Sequence, residues 1–428
     1  MKQTWAVLVM MMTTLSFFFC APHLNVSSEG NDFYYVSPKG NDDGDGSINN
    51  PWRTIQKAAN TLEAGDTVYV RDGVYREFVT IRNSGSKEAG YITYKAYPGE
   101  KPVLDGVDLT VTSGKSILLY LESASYIIVD GFELRNVKTS DPDIYPAGIR
   151  VREGGHDIHI LNNQVHHIAN TAEDGNAHGI HIYGNSNSEI KNVFIKNNEV
   201  HHLTLGSSEA LTLSGNINGF LVQNNHVHHN NNIGIDIAGF YNACEQKCVD
   251  QARNGALIKN RVHDNSSIDN VAYDGVHAAG GIYADGATKV TIEKNIVYNN
   301  DFGIELASEN VGGNTTHNIV QHNMVYRNNG AGILLGGASK ENGGAKSNVI
   351  KNNILKNNDR LKQGYGEITF QWNSDDNKVF HNTILTNGDH NEFIQHFDDS
   401  DTRNQIGYNF LFPTLLNPIY LEKEKLHN

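Results

Sequence analysis

From about residue 158 to residue 388 the apolar positions follow one repeating order. Two apolar residues flank a polar one, Asn follows, and a second apolar step closes the unit. The segments IHILNNQVHH, VFIKNNEVHH, FLVQNNHVHH, ALIKNRVHDN and VTIEKNIVYN carry it, and NIVQHNMVYR, NVIKNNILKN and KVFHNTILTN continue it. The shared Asn falls at Asn163, Asn198, Asn225, Asn260, Asn295, Asn323, Asn353 and Asn382, in steps of 27 to 35 residues. Short runs alternating with period two are strands, and a pattern that returns at this spacing means stacked coils.

A second motif, Gly-Ile-x-apolar, lies inside each coil: GIRV at 148–151, GIHI at 179–182, GIDI at 234–237, GIYA at 281–284, GIEL at 303–306 and GILL at 332–335. ALTL at 210–213, EITF at 367–370 and FIQH at 393–396 take the same place. Two or three short strands per coil, separated by Gly and Asn turns, predict an all-β chain wound as a right-handed parallel β-helix. Coils ~4.8 Å apart are then joined by parallel pairing, and an inward Asn at one corner of every coil forms a ladder of amides.

Near the start, Ile55, Ala58, Ala59 and Leu62 fall at helical spacing behind Asn50 and Pro51, which read as the beginning of a helix. A short amphipathic helix there is expected to cap the open end of the stack. One β-helix domain is expected over 33–408, with 409–428 as a C-terminal cap and tail.

Because side chains alternate along a strand, the third residue of each Gly-Ile-x-apolar unit faces outward. That column reads Arg150, His181, Thr212, Asp236, Tyr283, Glu305, Leu334, Thr369 and Gln395. Two residues further, a second outward column holds Arg152, Tyr183, Ser214, Ala238, Asp285, Ala307, Gly336 and Gln371. Asp236, Asp285 and Glu305 thus lie on three successive coils of one face. From the strand spacing, the α-carbons of Asp285 and Glu305 would be roughly 8 Å apart, a span that suits paired carboxyls in glycoside cleavage and equally a shared cation. The three acids are the candidate catalytic residues and the candidate calcium ligands. The bland alternative is a solvated acidic face.

His178, His181, Arg150, Arg152, Tyr183, Tyr283, Glu367 and Gln371 extend the same stripe and are candidate glycan contacts. Two coils are lengthened beside it, by residues 240–254 and 264–279, and long loops beside one face wall a groove. The histidines elsewhere read differently. His166, His201, His228 and His263, followed by Tyr298 and Tyr326, fall in one register, and His167, His202 and His229 in the next. Repetition on consecutive coils is what a stacking ladder needs, so structure is favoured over metal binding. The acidic turn Asn41–Asp45 reads as a solvated Gly/Asp turn in preference to a calcium loop.

Charge narrows the partners. With 34 Lys and Arg against 48 Asp and Glu, the net charge of −14 disfavours nucleic acid. Lys2 and the apolar run from Trp5 to Phe19 form an expected signal peptide over 1–20, too short to span a bilayer, followed by a flexible leader over 21–32. The chain is therefore expected outside the cell, with Cys20 as a candidate lipid anchor and no membrane span. Export makes a disulfide between Cys244 and Cys248 reasonable. A monomer without an organic cofactor is expected.

The stretches TVYVRDGVYRE and YITYKAYPGEKPVLDG, with the coils behind them, resemble secreted β-helix proteins of the pectate-lyase-like superfamily over nearly the whole chain. The resemblance implies an extracellular polysaccharide-degrading enzyme, first a calcium-assisted lyase that cleaves a uronic-acid-containing, pectate-like glycan by β-elimination. Calcium would then sit on Asp236, Asp285 and Glu305, with a Lys or Arg as base. The segment YDGVHAAGGIYADGATK offers Lys289, which does not match the lysine of the lysine-dependent pectate lyases. Two alternatives stand beside it. One is a glycoside hydrolase using Asp285 and Glu305, similar to the acid pair of β-helix xylosidase-type enzymes; the other is a non-catalytic glycan-binding surface protein.

Overall fold

The computed structural model describes residues 32–244, 248–386, 393–397 and 403–413. The expected signal peptide, Cys20, the leader up to residue 31 and the tail from 414 lie outside the described residues.

The chain is a parallel β-helix of three long sheets with 16, 12 and 11 strands. Each strand pairs with its counterpart one coil before and one coil after: Ile190–Lys196 lies between Gly155–Leu161 and Ile217–Gln223, parallel to both. Alternate residues point inward and are fully buried, as Ile158 and Ile160, Val193 and Ile195, and Phe220 and Val222 are or nearly are. One continuous core therefore runs the length of the winding.

Amide ladders hold its corners. Asn163 N–H and Nδ2 both donate to Asn198 Oδ1, at 2.9 and 3.1 Å, and the same two bonds pass from Asn198 to Asn225, Asn260, Asn295, Asn323, Asn353 and Asn382. Each Nδ2 also reaches a backbone carbonyl of an earlier coil, so a buried polar side chain has its bonding capacity filled. Two further ladders exist: Asn230, Asn265, Asn300, Asn328 and Asn358, and Asn318, Asn348, Asn377 and Asn404. The residue before each rung of the first ladder turns the corner in the left-handed region, as Asn162, Asn197 and Asn224 do at φ 56°, 58° and 55°. Asn accepts that conformation more readily than most residues and holds the position at Asn162, Asn197, Asn224 and Asn352, whereas Lys259, Lys294, His322 and His381 adopt it in the other coils.

On the outside of the 12-strand sheet, the rings of His166, His201, His228, His263, Tyr298 and Tyr326 stack with centroids 4.6–5.1 Å apart. His167, His202 and His229 form a parallel stack.

Three expectations change. The helix is Ile55–Thr61, with Thr54 rather than Asn50 at its N-cap. Trp52 is engaged in extended pairing with Val36, and Glu77 takes the helix's first free N–H groups, from Ile55 at 2.8 Å and Gln56 at 3.0 Å. Ile55, Ala58, Ala59 and Leu62 do form the buried stripe. The winding also passes residue 408: Asn409 continues the first ladder, and Phe410–Pro413 pairs with Thr383–Thr386. Glu367 does not reach the outer face. It is fully buried and ends the second ladder, accepting from Asn358 N–H at 3.1 Å and Nδ2 at 2.5 Å. Among the described residues no helix is long and apolar enough to cross a membrane. Asp42 of the acidic turn is occupied by Arg53 N–H, Thr54 N–H and Thr54 Oγ1.

Candidate active site

The acids stand on the 11-strand sheet. Its register pairs Arg150 with His181, then Thr212, Asp236, Tyr283 and Glu305 in turn. Ile235, Ile237, Ile282, Ala284, Ile304 and Leu306 fill the core between these positions, so Asp236, Tyr283 and Glu305 point outward. Asp285 pairs with Ala307 in the second column. Asp236, Asp285 and Glu305 thus share one wall on successive coils.

They are outward but not solvated, being only 4%, 2% and 9% exposed. The two insertions cover them. Residues 240–254, closed by the Cys244–Cys248 disulfide, bring Tyr241 to donate its hydroxyl to Asp285 Oδ2, 3.3 Å from Glu309 Oε2. Residues 264–279 carry the short turn Val271–Tyr273, and Tyr273 OH accepts from Asn232 Nδ2 at 3.0 Å. Fully buried Asp301 ties that loop down. It accepts from Ser267 N–H at 2.8 Å, Ala279 N–H at 3.1 Å and Asn329 Nδ2 at 2.9 Å, and pairs with His277 Nδ1 at 2.5 Å.

Beneath the loops lies a cavity of about 350 Å³, lined by Glu209, Asp236, Asp285 and Glu309, by Tyr241, Tyr273 and Tyr283, and by small residues. Glu209 and Glu309 were not legible as site residues. Glu309 continues the column of Asp285 and Ala307 just past the end of its strand, and its N–H donates to Asp285 Oδ1 at 3.2 Å. Tyr283 OH donates to its Oε1 at 3.4 Å. The alternation breaks at the Gly position: Gly179 N–H and Ile180 N–H both donate to Ala210 O, a bulge preceded by His178, and one coil on the consecutive Ala210 and Leu211 N–H groups both donate, to Ile233 O and Gly234 O, so that Glu209 takes the same outward place. His178 takes that position one coil earlier, its ring 3.9 Å from that of His181.

Crowded carboxyls cannot all ionise. Burial first, then Glu209, Asp285 and Glu309, hold Asp236 far above the ordinary carboxyl range. Burial and Glu309 do the same to Asp285, with Tyr241 opposing them. Burial pushes Glu209 up to about 7. Glu305, in the same column as Asp236 with Tyr283 between them, is raised by burial, then by Glu309 and Asp285. Its neighbours include Gly280, whose missing side chain leaves room for Oε1. Neither Asp236 Oδ1 nor Glu305 Oε1 has a hydrogen-bond partner.

Three coils from Asp236, or ~14 Å, the same wall turns basic. Arg150 is 6% exposed, no carboxylate among the described residues pairs with it, and its Nε is unpartnered. With Arg82, Lys115 and Arg152 it lines a cleft of about 740 Å³ that also holds Glu122 and Asp143; Arg82 is paired to Glu122 at 2.6 Å and Arg152 to Glu153 at 3.6 Å. Arg152 lies over the Tyr183 ring at 5.2 Å. Burial and Arg152 lower Arg150 to about 10. Between the two regions, burial brings His178 down to about 3 and holds His181 well below the usual imidazole range, which favours the neutral rings. Gln371 stands beyond the end of Ile368–Phe370, against Gly336. Lys289 is exposed on the 16-strand sheet, away from the acids.

A family model described as a Pel9A-like, right handed beta helix region matches residues 34–202. Over 409 residues, 95% of this chain and 86% of the relative, the sequence is 35% identical to uncharacterized protein YwoF of Bacillus subtilis (strain 168). The chain belongs to the YwoF family of pectate-lyase-like, right-handed parallel β-helix proteins. This YwoF-family chain is also 29% identical to pectate lyase PEL9 of Emericella nidulans over 167 residues, 36% of the chain and 37% of that protein. Two solved structures share the winding. A GH136 lacto-N-biosidase from Eubacterium ramulus superposes with a TM-score of 0.66 at 16% identity, over 89% of this chain and 68% of that one. A rhamnogalacturonan lyase gives 0.57 at 14%, over 89% and 87%. The family model stops at residue 202, before Glu209, so the chemistry of the YwoF-family cavity rests on its own residues.

Proposed function

We propose that the chain is an exported enzyme that cleaves an acidic polysaccharide, with the acid cavity as its reaction centre and the Arg150 cleft as a subsite for a negatively charged sugar. The observation that carries this is the pairing, on one rigid wall, of crowded buried carboxyls with a buried arginine that has no partner among the described residues. An unpaired buried charge is costly, and a ligand anion offsets that cost. Kinship with pectate lyase PEL9 supports a glycan substrate. The apolar run from Trp5 to Phe19 and the Cys244–Cys248 disulfide support a place outside the cell.

Hydrolysis is the reaction this geometry favours. It needs one protonated and one ionised carboxyl. Asp285, buried and raised, is suited to donate a proton to the leaving oxygen. Glu309, exposed at the mouth and linked to Asp285 through Tyr241, is suited to act as the ionised partner. Asp236 is the alternative acid. Glu305, separated from Asp236 by Tyr283, takes the place of a positioning residue here.

Calcium-assisted β-elimination of a uronide is the second reading, favoured by PEL9 and by the all-oxygen donor set of Asp236, Asp285 and Glu305. The unpartnered Asp236 Oδ1 suits a cation. The spacing does not: among the described residues, three ligand atoms come within 4.8 Å of one another only at histidines and Asp264. No basic side chain lines the acid cavity to remove a proton.

The test is a panel of acidic and neutral polysaccharides assayed together for reducing ends and for the ultraviolet absorbance of an unsaturated uronide. New reducing ends without absorbance are expected. Absorbance that EDTA abolishes selects the second reading, and silence in both assays leaves a glycan binder. Arg150→Gln should raise KM about 10–100-fold on acidic chains, the loss of one charge-assisted contact, and leave kcat within a few-fold.

A further inference from the structure

The histidines of the 12-strand sheet are of two kinds. Those in the stacked columns repeat from coil to coil, and stacking accounts for them. His226 does not repeat: its neighbours one coil away are Glu199 and Arg261. It lies two residues before His228 on the strand His226–His228, so both rings leave the same face, with centroids 4.1 Å apart. His263 arrives from the next coil, and its Nε2 faces His226 Nε2 at 2.7 Å. One ligand atom from each of the three lies within 4.8 Å of the others.

We propose that His226, His228 and His263 bind a divalent transition-metal ion of the zinc class, with Glu199 as the fourth ligand. The surroundings set the nitrogens for it. His263 Nδ1 lies 2.6 Å from Asp264 Oδ2, and an N–H donated there leaves the Nε2 lone pair turned toward His226. This carboxylate–histidine arrangement orients metal-binding imidazoles. His228 Nδ1 is held by His229 Nδ1 at 2.8 Å, while its Nε2 is 3.3 Å from Glu199 Oε1. Glu199 Oε1 is also 3.7 Å from His226 Nδ1.

Without an ion, the contact between His226 and His263 requires one shared proton. A bound cation takes its place, and the neutral His226 ring keeps its proton by carrying it on Nδ1 instead of Nε2. Tetrahedral zinc with bonds of ~2.0–2.1 Å needs its nitrogens ~3.3 Å apart. His228 and His263, buried in the stack with centroids 5.1 Å apart, tilt toward each other to close on the ion, whereas His226, partly exposed and outside the stack, withdraws from its 2.7 Å contact. Three imidazoles and one carboxylate select zinc, copper or nickel over calcium. The site joins three consecutive coils on a wall other than that of the acid cavity. It is a coil clamp, separate from turnover.

The untagged full-length protein is titrated with Zn²⁺ by calorimetry in two buffers of different ionisation enthalpy, and with Co²⁺ by visible absorption. One equivalent of uptake with equal heat in the two buffers, an intense tetrahedral Co²⁺ spectrum and a higher melting temperature are expected. His226→Gln should weaken uptake at least about 100-fold, and Asp264→Asn about 10–100-fold. His167→Gln, in the stack but away from the site, should leave it unchanged. Equal affinity in His226→Gln, or no uptake by the unmodified chain, overturns the proposal; the melt of His226→Gln without metal shows that the variant is folded.

Discussion

The inner corner of the coils and the outer face of the 11-strand sheet arise from the same repeat and use it in opposite ways. Inside, one residue recurs: in the ladder from Asn163 to Asn409, every Asn from Asn198 to Asn382 accepts two bonds from the rung before and passes two on. Outside, the column Arg150, His181, Thr212, Asp236, Tyr283, Glu305 repeats nothing. Four of these side chains keep a buried polar atom without a partner: Arg150 Nε, His181 Nδ1, Asp236 Oδ1 and Glu305 Oε1. Such atoms cost stability wherever no ligand meets them. In a solenoid, then, sameness from coil to coil marks what holds the winding, and departure from it marks what the winding carries. His226 departs in the same sense on another wall.

The comparison breaks most sharply at Asp285. Asp285→Asn removes a proton donor and should lower kcat about 10²–10⁴-fold, the usual worth of a general acid. The melting temperature should stay or rise, since the buried carboxyl that Glu309 crowds is gone. A variant that kept its turnover would move the reaction away from this cavity. Asn260→Ala tests the other side. It strands Asn225 N–H, takes one of two acceptors from Asn225 Nδ2, both groups being bonded to Asn260 Oδ1 at 3.0 Å, and frees Val222 O. At about 1–3 kcal/mol for each buried group left unpaired, chemical denaturation should show a loss of roughly 4 kcal/mol. Activity per folded molecule should not change. If the loss were under about 1 kcal/mol, the ladder would be an ornament of the fold and not its support.

The winding was legible because its cause is local and repeated. Asn before each second apolar step, and Gly-Ile before each outward position, fixed register over eight coils, so the column through Asp236, Tyr283 and Glu305 could be written from sequence. What escaped lies where the repeat is interrupted. Glu209 was missed because the bulge at Gly179 and Gly-like positions shifts the strand's phase, and Glu309 because it lies beyond the end of its strand. Tyr241 and Tyr273 come from insertions whose paths depend on a disulfide and on Asp301. Glu367 was misplaced by the same phase error: in EITF it occupies the Gly position, which at that coil turns inward.

That displaced glutamate gives the smallest effect and a direct measure of the difference between the two faces. Inside the ladder it does the work of an Asn while carrying an acid's proton, and burial lifts it from 4.5 to about 7. A carboxyl raised on folding contributes its full stability below the unfolded value and loses it as pH rises through the folded one. Wild-type stability should therefore fall between about pH 4.5 and pH 8, and the raised Asp236, Asp285, Glu209 and Glu305 add to the fall. Asn358 N–H and Nδ2 bond to separate oxygens of Glu367; Glu367→Gln keeps one oxygen, which serves both donors once it turns as each Asn rung does, and has no proton to lose. Denaturation should find the two proteins equal near pH 4.5, with the variant ahead by roughly 3 kcal/mol at pH 8. A gap of the same size at both pH values would mean that Gln simply packs better, and the ladder's end would carry no charge at all. Asp285→Asn, by contrast, should flatten the same slope only by silencing the enzyme, because on the outer wall the raised carboxyl is what the site uses.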